Sequence, residues 1–169
     1  PFGWIVENRV IRRGLLTHLA QLPNLTHIGG ARVTDLAFQS GRAALTLQDG
    51  REIATRLVVA ADGRFSFVRR MSGIGVKEFG YNQTAIVCTM GHERPHRGVA
   101  HENFLPAGPF AMLPMTDSRE TGEIMHRSSI VWTEDPRIVP WMLELDDASF
   151  AAEGARRFGT TLGKLQPIG

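Results

Sequence analysis

Leu57-Val58-Val59-Ala60-Ala61 narrows the choice of fold most: five apolar residues in a row, ended by Asp62-Gly63. A continuous apolar run of this length reads as a strand buried on both faces, the pattern of strands covered by helices in α/β sheets. The carboxylate and glycine then stand at the carboxyl end of that strand, where such sheets place ligand contacts. Ser66 and Arg69 follow in a short helix expected from Ser66 to about Met71. An Asp-Gly pair after a strand is more often only a turn, so its surroundings decide its meaning.

Upstream, Asn8 reads as a helix N-cap, and Ile11, Leu15, Leu19 and Leu22 fall on one face of a helix ended by Pro23-Asn24. Four short strands are expected next, over Leu25 to Ile28, Arg32 to Phe38, Ala43 to Leu47, and from Glu52-Ile53 towards Leu57. Ser40-Gly41 and Asp49-Gly50 supply turns between them, which makes a meander. Gly73-Ile74-Gly75 reads as a linker, because longer β-rich segments bounded by Pro and Gly follow it. These are Thr84 to Met90, Gly98 to Leu105, Phe110 to Met115 and Glu123 to Thr133, enough for an antiparallel sheet of about four strands. Asp135-Pro136 and Asp146-Asp147 read as helix starts, the second helix running through Phe150 to Phe158 and closing at Gly159. The fold class expected is α/β (α+β), with one region over residues 1–75 and an antiparallel-sheet region over 76–169.

Composition sets the outer limits. The 169 residues are 43% apolar and 21% charged, a globular balance, and no apolar run approaches the roughly eighteen residues of a membrane helix. A net charge of +2 gives little attraction for nucleic acid, and none is expected as a partner. The single Cys88 excludes an internal disulfide framework and a multi-thiolate metal site, and it suits a reducing, cytoplasmic setting. No targeting peptide is visible in these residues, and the abrupt start at Pro1 and stop at Gly169 are expected of a piece of something longer.

Three apparent motifs dissolve on inspection. His92-Glu93-Arg94-Pro95-His96 matches the zinc-protease pattern, yet that pattern needs both imidazoles on one helix face and Pro95 removes an amide the helix requires. No metal is expected there. Gly73-Ile74-Gly75 with Gly80 misses the spacing of a dinucleotide loop, and Gly159-Thr160-Thr161-Leu162-Gly163-Lys164 is one residue short of a phosphate loop with Leu165 in place of its hydroxyl. Cys88, among Ile86, Val87 and Met90, reads as a small buried hydrophobe rather than a nucleophile.

The segment Leu57 to Arg70, with Ala61-Asp62-Gly63-Arg64 at its centre, resembles the DG motif of the FAD-dependent aromatic-ring hydroxylases. Val6-Glu7-Asn8-Arg9-Val10-Ile11-Arg12, His92-Glu93-Arg94-Pro95-His96, Phe104-Leu105-Pro106-Ala107-Gly108-Pro109-Phe110-Ala111 and Ser128-Ser129-Ile130-Val131-Trp132-Thr133-Glu134 together resemble the ubiquinone-biosynthesis hydroxylases that act on polyprenyl phenols. The resemblance covers nearly the whole chain. A complete member has in addition a glycine-rich FAD fingerprint before this region and a Gly-Asp motif with a helical region after it.

The resemblance implies an FAD-dependent monooxygenase that uses NAD(P)H and O2 to hydroxylate a polyprenyl phenol. This chain corresponds to its central portion: the DG-motif part of the FAD domain (1–75) and the substrate domain (76–169). By position it implies flavin contacts at Asn8 and Val33, FAD and nicotinamide contacts at Asp62 and Gly63, and a phosphate or structural role for Arg69. Phe104 and Pro106 with Phe110, Met112 and Pro114 are expected either to wall an apolar pocket for the isoprenoid-bearing ring or to serve as sheet core. No acid-base residue is indicated. The partner expectations are the polyprenyl phenol and peripheral association with the inner membrane or a ubiquinone-biosynthesis complex. Two functional readings stay open: a central enzyme portion, inactive and without bound FAD or NAD(P)H by itself, or a stand-alone, non-catalytic module that binds substrate or lipid.

Overall fold

In a computed structural model, which describes residues 3–39, 41–119 and 122–168, the contacts divide the chain into two units. One is Arg12–Phe79; the other joins Gly80–Gly169 to Pro1–Ile11. Helix α1 (Asn8–Leu19) crosses this division. Its first turn forms as Glu7 O accepts the amides of Val10 and Ile11 at 2.9 and 3.2 Å, and none of its residues is buried.

The Arg12–Phe79 unit is built on an antiparallel meander of β1 (Val33–Gln39), β2 (Arg42–Leu47) and β3 (Glu52–Thr55), in that order across the sheet. Leu36 pairs with Leu45, and Leu36, Ala43 and Leu47 form its buried apolar set. Of the Ser40-Gly41 turn, Ser40 lies outside the described residues. Helix α2 (Phe67–Met71) starts at the buried Ser66, whose side chain caps it by accepting the Arg69 amide at 3.0 Å.

Two expected strands are absent here. Leu25 to Ile28 is irregular coil after the turn at Pro23-Asn24, with Leu25 and Ile28 exposed. Leu57 to Ala61 is not part of either sheet, and Leu57 and Val59 are 74% and 79% exposed. The cause is the same for both. A strand exists only through a ladder with a neighbour, and no described residue pairs with either segment.

The second unit holds a five-stranded, wholly antiparallel sheet in the order β5-β6-β7-β4-β8. Its strands are β4 (Thr84–His92), β5 (His101–Leu105), β6 (Gly108–Pro114), β7 (His126–Glu134) and β8 (Leu165–Pro167). The central ladder sets Ile86 opposite Trp132 and Cys88 opposite Ile130, and β6 adds Phe110 beside Trp132 and Met112 beside Ile130. Because side chains alternate across the pleat, these residues share one face. Helices α3 (Val139–Leu143) and α4 (Asp147–Phe158) cover that face with Val139, Met142 and Phe158. Asp146 caps α4 by accepting the Ser149 amide at 2.7 Å, and Gly159 ends it.

One ion pair ties α4 to the sheet. Arg157 reaches Glu134 Oε2 at 3.0 Å, also bonds Glu153, and lies 4.7 Å over the Trp132 ring. Glu134 in turn accepts from Trp132 Nε1 at 3.4 Å and from the Asp135 amide at 3.2 Å. β8 was not expected from sequence. The stretch before it forms a turn whose backbone meets the residues after β4: Glu93 N donates to Lys164 O, Arg94 N to Leu162 O, and Lys164 N to Glu93 Oε2. Gly163, at φ +76, is needed there because a Cβ would stand 2.5 Å from Glu93 Oε2.

Candidate functional site

In the Arg12–Phe79 unit the Asp-Gly turn is tightly self-bonded. Asp62 Oδ1 accepts the Ser66 hydroxyl at 2.5 Å and Oδ2 accepts the Val68 amide at 3.1 Å. These two bonds, the hydroxyl first, hold the Asp62 carboxyl below its ordinary range, so it is ionised near neutral pH. Gly63 follows at φ +81 with no atom within 4 Å of where a Cβ would stand, a conformation and an open face that let another molecule approach the backbone closely. Arg69 is half-buried and donates to Arg64 O at 2.9 Å. It lines an open cleft of about 510 Å³ with Phe38, Arg42, Leu57, Ala60 and Val68.

The remaining residues expected to meet a flavin lie on other elements. Val33 opens β1, half-buried and paired with Leu47, and Asn8 opens α1, exposed. Asp62, Gly63 and Arg69 thus share one short segment. The sequence reading missed Ser66 as the carboxylate's partner, although a serine four residues after an aspartate at a helix start is a readable signal.

In the sheet unit the five apolar residues expected at a substrate wall divide. Phe110 and Met112, each 1% exposed, sit in the helix-covered core, with Phe110 packed 5.2 Å from the Trp132 ring and 6.1 Å from Phe158. Pro114 is half-buried at the end of β6, and Pro106 is exposed in the β5–β6 turn. Phe104 is 82% exposed and, by strand alternation, points to the face opposite the helices. That face also carries Val87, Leu113 and Val131. Cys88 is half-buried and desolvation pushes its thiol up to about 11.

No protein-family profile matches the chain. Individual relatives match along it. Ubiquinone hydroxylase UbiL of Rhodospirillum rubrum is 50% identical over 169 residues, 100% of this chain and 38% of the relative. The chain matches a segment of the ubiquinone hydroxylases. The 3-demethoxyubiquinol 3-hydroxylase of Escherichia coli is 30% identical over 98% of this chain and 40% of its own length. The human mitochondrial ubiquinone biosynthesis monooxygenase COQ6 is 32% identical over 88% of the chain and 32% of its own length. The chain therefore spans about two fifths or less of each of these relatives. Among solved structures, a mutant of Pseudomonas aeruginosa PqsL superposes with a TM-score of 0.68 over 94% of this chain and 45% of that one, at 17% identity, and shares the fold. The sequence matches agree with the resemblance to ubiquinone-biosynthesis hydroxylases read from the sequence.

Among the described residues no group of three or more His, Cys, Asp and Glu side chains is arranged to hold a metal ion. No described helix is long and apolar enough to cross a membrane.

Proposed function

We propose that this chain forms the central portion of an FAD-dependent, NAD(P)H- and O2-using monooxygenase that hydroxylates a polyprenyl phenol in ubiquinone biosynthesis. The carrying observation is the 50% identity to a ubiquinone hydroxylase over every residue of the chain. FAD supplies the redox chemistry, taking reducing equivalents from the nicotinamide and passing them to oxygen. The residues fit one edge of such a cofactor: Gly63 gives the close backbone approach, Asp62 an ionised carboxylate beside it, and Arg69 a guanidinium on the adjoining cleft. Asn8 and Val33 are assigned to the flavin and its adenine.

The protein's task at the substrate is orientation and exclusion of water. We assign the wall to the sheet face opposite the helices, where Phe104 of β5 is free to touch an isoprenoid with Pro106 in the turn after it, while Phe110, Met112 and Pro114 build β6, the strand paired beside β5. A polyprenyl tail holds the substrate in a bilayer, so we place the enzyme in the cytoplasm at the inner-membrane surface, in reach of the other enzymes of the route.

By itself, the chain is proposed to be inactive and to hold no FAD or NAD(P)H tightly. Asp62 already spends both oxygens on its own turn, and a few further hydrogen bonds, each about 0.5 to 1.5 kcal/mol net, fall short of the several kcal/mol of freedom a bound cofactor gives up. The test is to purify the 169-residue chain and the full open reading frame around it side by side. The frame is expected to be yellow and to oxidise NAD(P)H faster when a polyprenyl phenol is added, and the chain to be colourless. A colourless frame that binds polyprenyl phenol without oxidising NAD(P)H would instead establish the non-catalytic binding module.

A further inference from the structure

Three imidazoles meet beside the loop that joins β4 to β5. The ring of His92 lies 5.7 Å from that of His96 and 6.0 Å from that of His126. Their partners decide which nitrogen carries a proton. Met115 O can only accept, so His96 Nε2 donates to it over 2.9 Å, and the Gly98 amide donates to His96 Nδ1 over 2.9 Å. His96 is thus neutral, with both nitrogens used by the backbone. Arg94 O likewise takes the proton of His92 Nδ1 at 2.7 Å, which leaves His92 Nε2 to accept from the buried Ser128 hydroxyl at 3.0 Å.

A second proton on His96 would have to sit on Nδ1, facing the Gly98 N–H. It would break the bond that fixes the loop where Arg97 and Gly98 both adopt left-handed backbone, at φ 53 and 73. The surrounding charges do little to accommodate it. On β7, His126 Nδ1 stands 3.1 Å from Asp117 Oδ1, close enough for an ion pair though not aligned as a hydrogen bond, so Asp117 serves His126. Arg127, next on β7, bonds Thr116 O and approaches Glu7 at 3.6 Å. Glu93, Glu123 and Lys164 line the cleft beside His92, with Glu93 taken up by the Lys164 amide, and Arg94, Arg97 and His101 line the cleft beside His96.

We propose that His96 and His92 form an acid-released clip: as neutral rings they hold the 92–99 loop against β7 and the end of β6, and protonation frees that loop. The loop walls a cleft of about 410 Å³ with Val99, His101 and Leu162, so its release changes access to that cleft. Burial first, then the neighbouring His96 and His126, holds His92 below its ordinary value of 6.5, although its bond to Arg94 O works the other way. A histidine depressed in the folded state favours folding above the unfolded value and ceases to as pH falls, so His92 favours the closed loop above 6.5 and ceases to on the acid side of it.

The experiment is amide hydrogen exchange on the protein at about pH 7.5 and 5.5, with each rate corrected for its intrinsic pH dependence. Gly98 and Val99 are expected to lose protection about tenfold in acid while Ile130, in the middle of β7, keeps its own. A His96→Gln variant, which keeps a donor and an acceptor without titrating, is expected to stay flat at Gly98. Equal protection at both pH values, a parallel loss at Ile130, or the same loss in His96→Gln would each overturn the clip. The ring nitrogen shifts of the unmodified protein give a second reading: an Nδ1–H or charged His96 at pH 7.5 would also overturn it, even if the variant failed to fold.

Discussion

The Ser66 hydroxyl donates to Asp62 at 2.5 Å while accepting the Arg69 amide at 3.0 Å, so one buried serine joins the Asp-Gly turn to the first turn of α2. Ser66→Ala removes both bonds at once. The expected loss is about 1 kcal/mol, the usual size of an N-cap, read as a lowered urea midpoint with unchanged slope. The same pair has a pH signature. Asp62 is depressed by Ser66 and then by the Val68 amide, so its contribution is complete above the ordinary value of 3.8 and is lost as pH falls through the lower folded value. The gap between wild type and Ser66→Ala should therefore narrow in strong acid to what the Arg69 cap alone contributes; a constant gap down to that range would refute the pairing.

Arg157→Met should destabilise the sheet unit by about 3 kcal/mol, because it leaves the Glu134 carboxylate, only 7% exposed, without its cation. Combining it with Glu134→Leu should recover much of that loss. A denaturant series on the two single variants and the double completes the cycle, and purely additive losses would mean the pair is not coupled.

Phe110→Ala tests whether Phe110 is core. Burial at 1% with rings on both sides predicts a loss of about 3 to 5 kcal/mol and a shift in Trp132 emission. Phe104→Ala, by contrast, should change stability by under about 0.5 kcal/mol, because its side chain is already in solvent. A large loss at Phe104 would contradict the assignment of the two sheet faces.

Cys88, with its thiol pushed up to about 11 by burial, holds almost no thiolate at neutral pH. Alkylation by iodoacetamide at pH 7.5 should run about two orders of magnitude slower than for a free cysteine and accelerate on adding denaturant. Prompt labelling of the folded protein would show the site to be open.

The sheet unit was largely legible because its signals are local. β4 and β7 carry unbroken β-rich runs, and Asp146 and Gly159 bracket α4 as a cap and a stop should. β8 escaped because three residues ending in a proline carry no period, and only the pairing with β4 makes them a strand. The same dependence on partners explains Leu25 to Ile28 and Leu57 to Ala61, where the residues favour a strand and no described neighbour completes one. At the candidate site, the Asp62-Gly63 turn was visible as a motif, whereas the serine four residues on signalled a helix start without saying that its hydroxyl meets Asp62. Phe104 and Phe110 look alike in sequence, and the strand pleat alone sends one to solvent and the other to the core.

The unpaired Leu57 to Ala61 run bears on how such a chain behaves at high concentration. A five-residue apolar ribbon with outward Leu57 and Val59 has the composition of an aggregation-prone window, ready to stack on its own kind in successive molecules. Arg56 stands immediately before it and Asp62 immediately after it, so a charged residue closes each end. In-register stacking would bring like charges together at both ends of every added layer, which makes Arg56 and Asp62 gatekeepers against fibril growth.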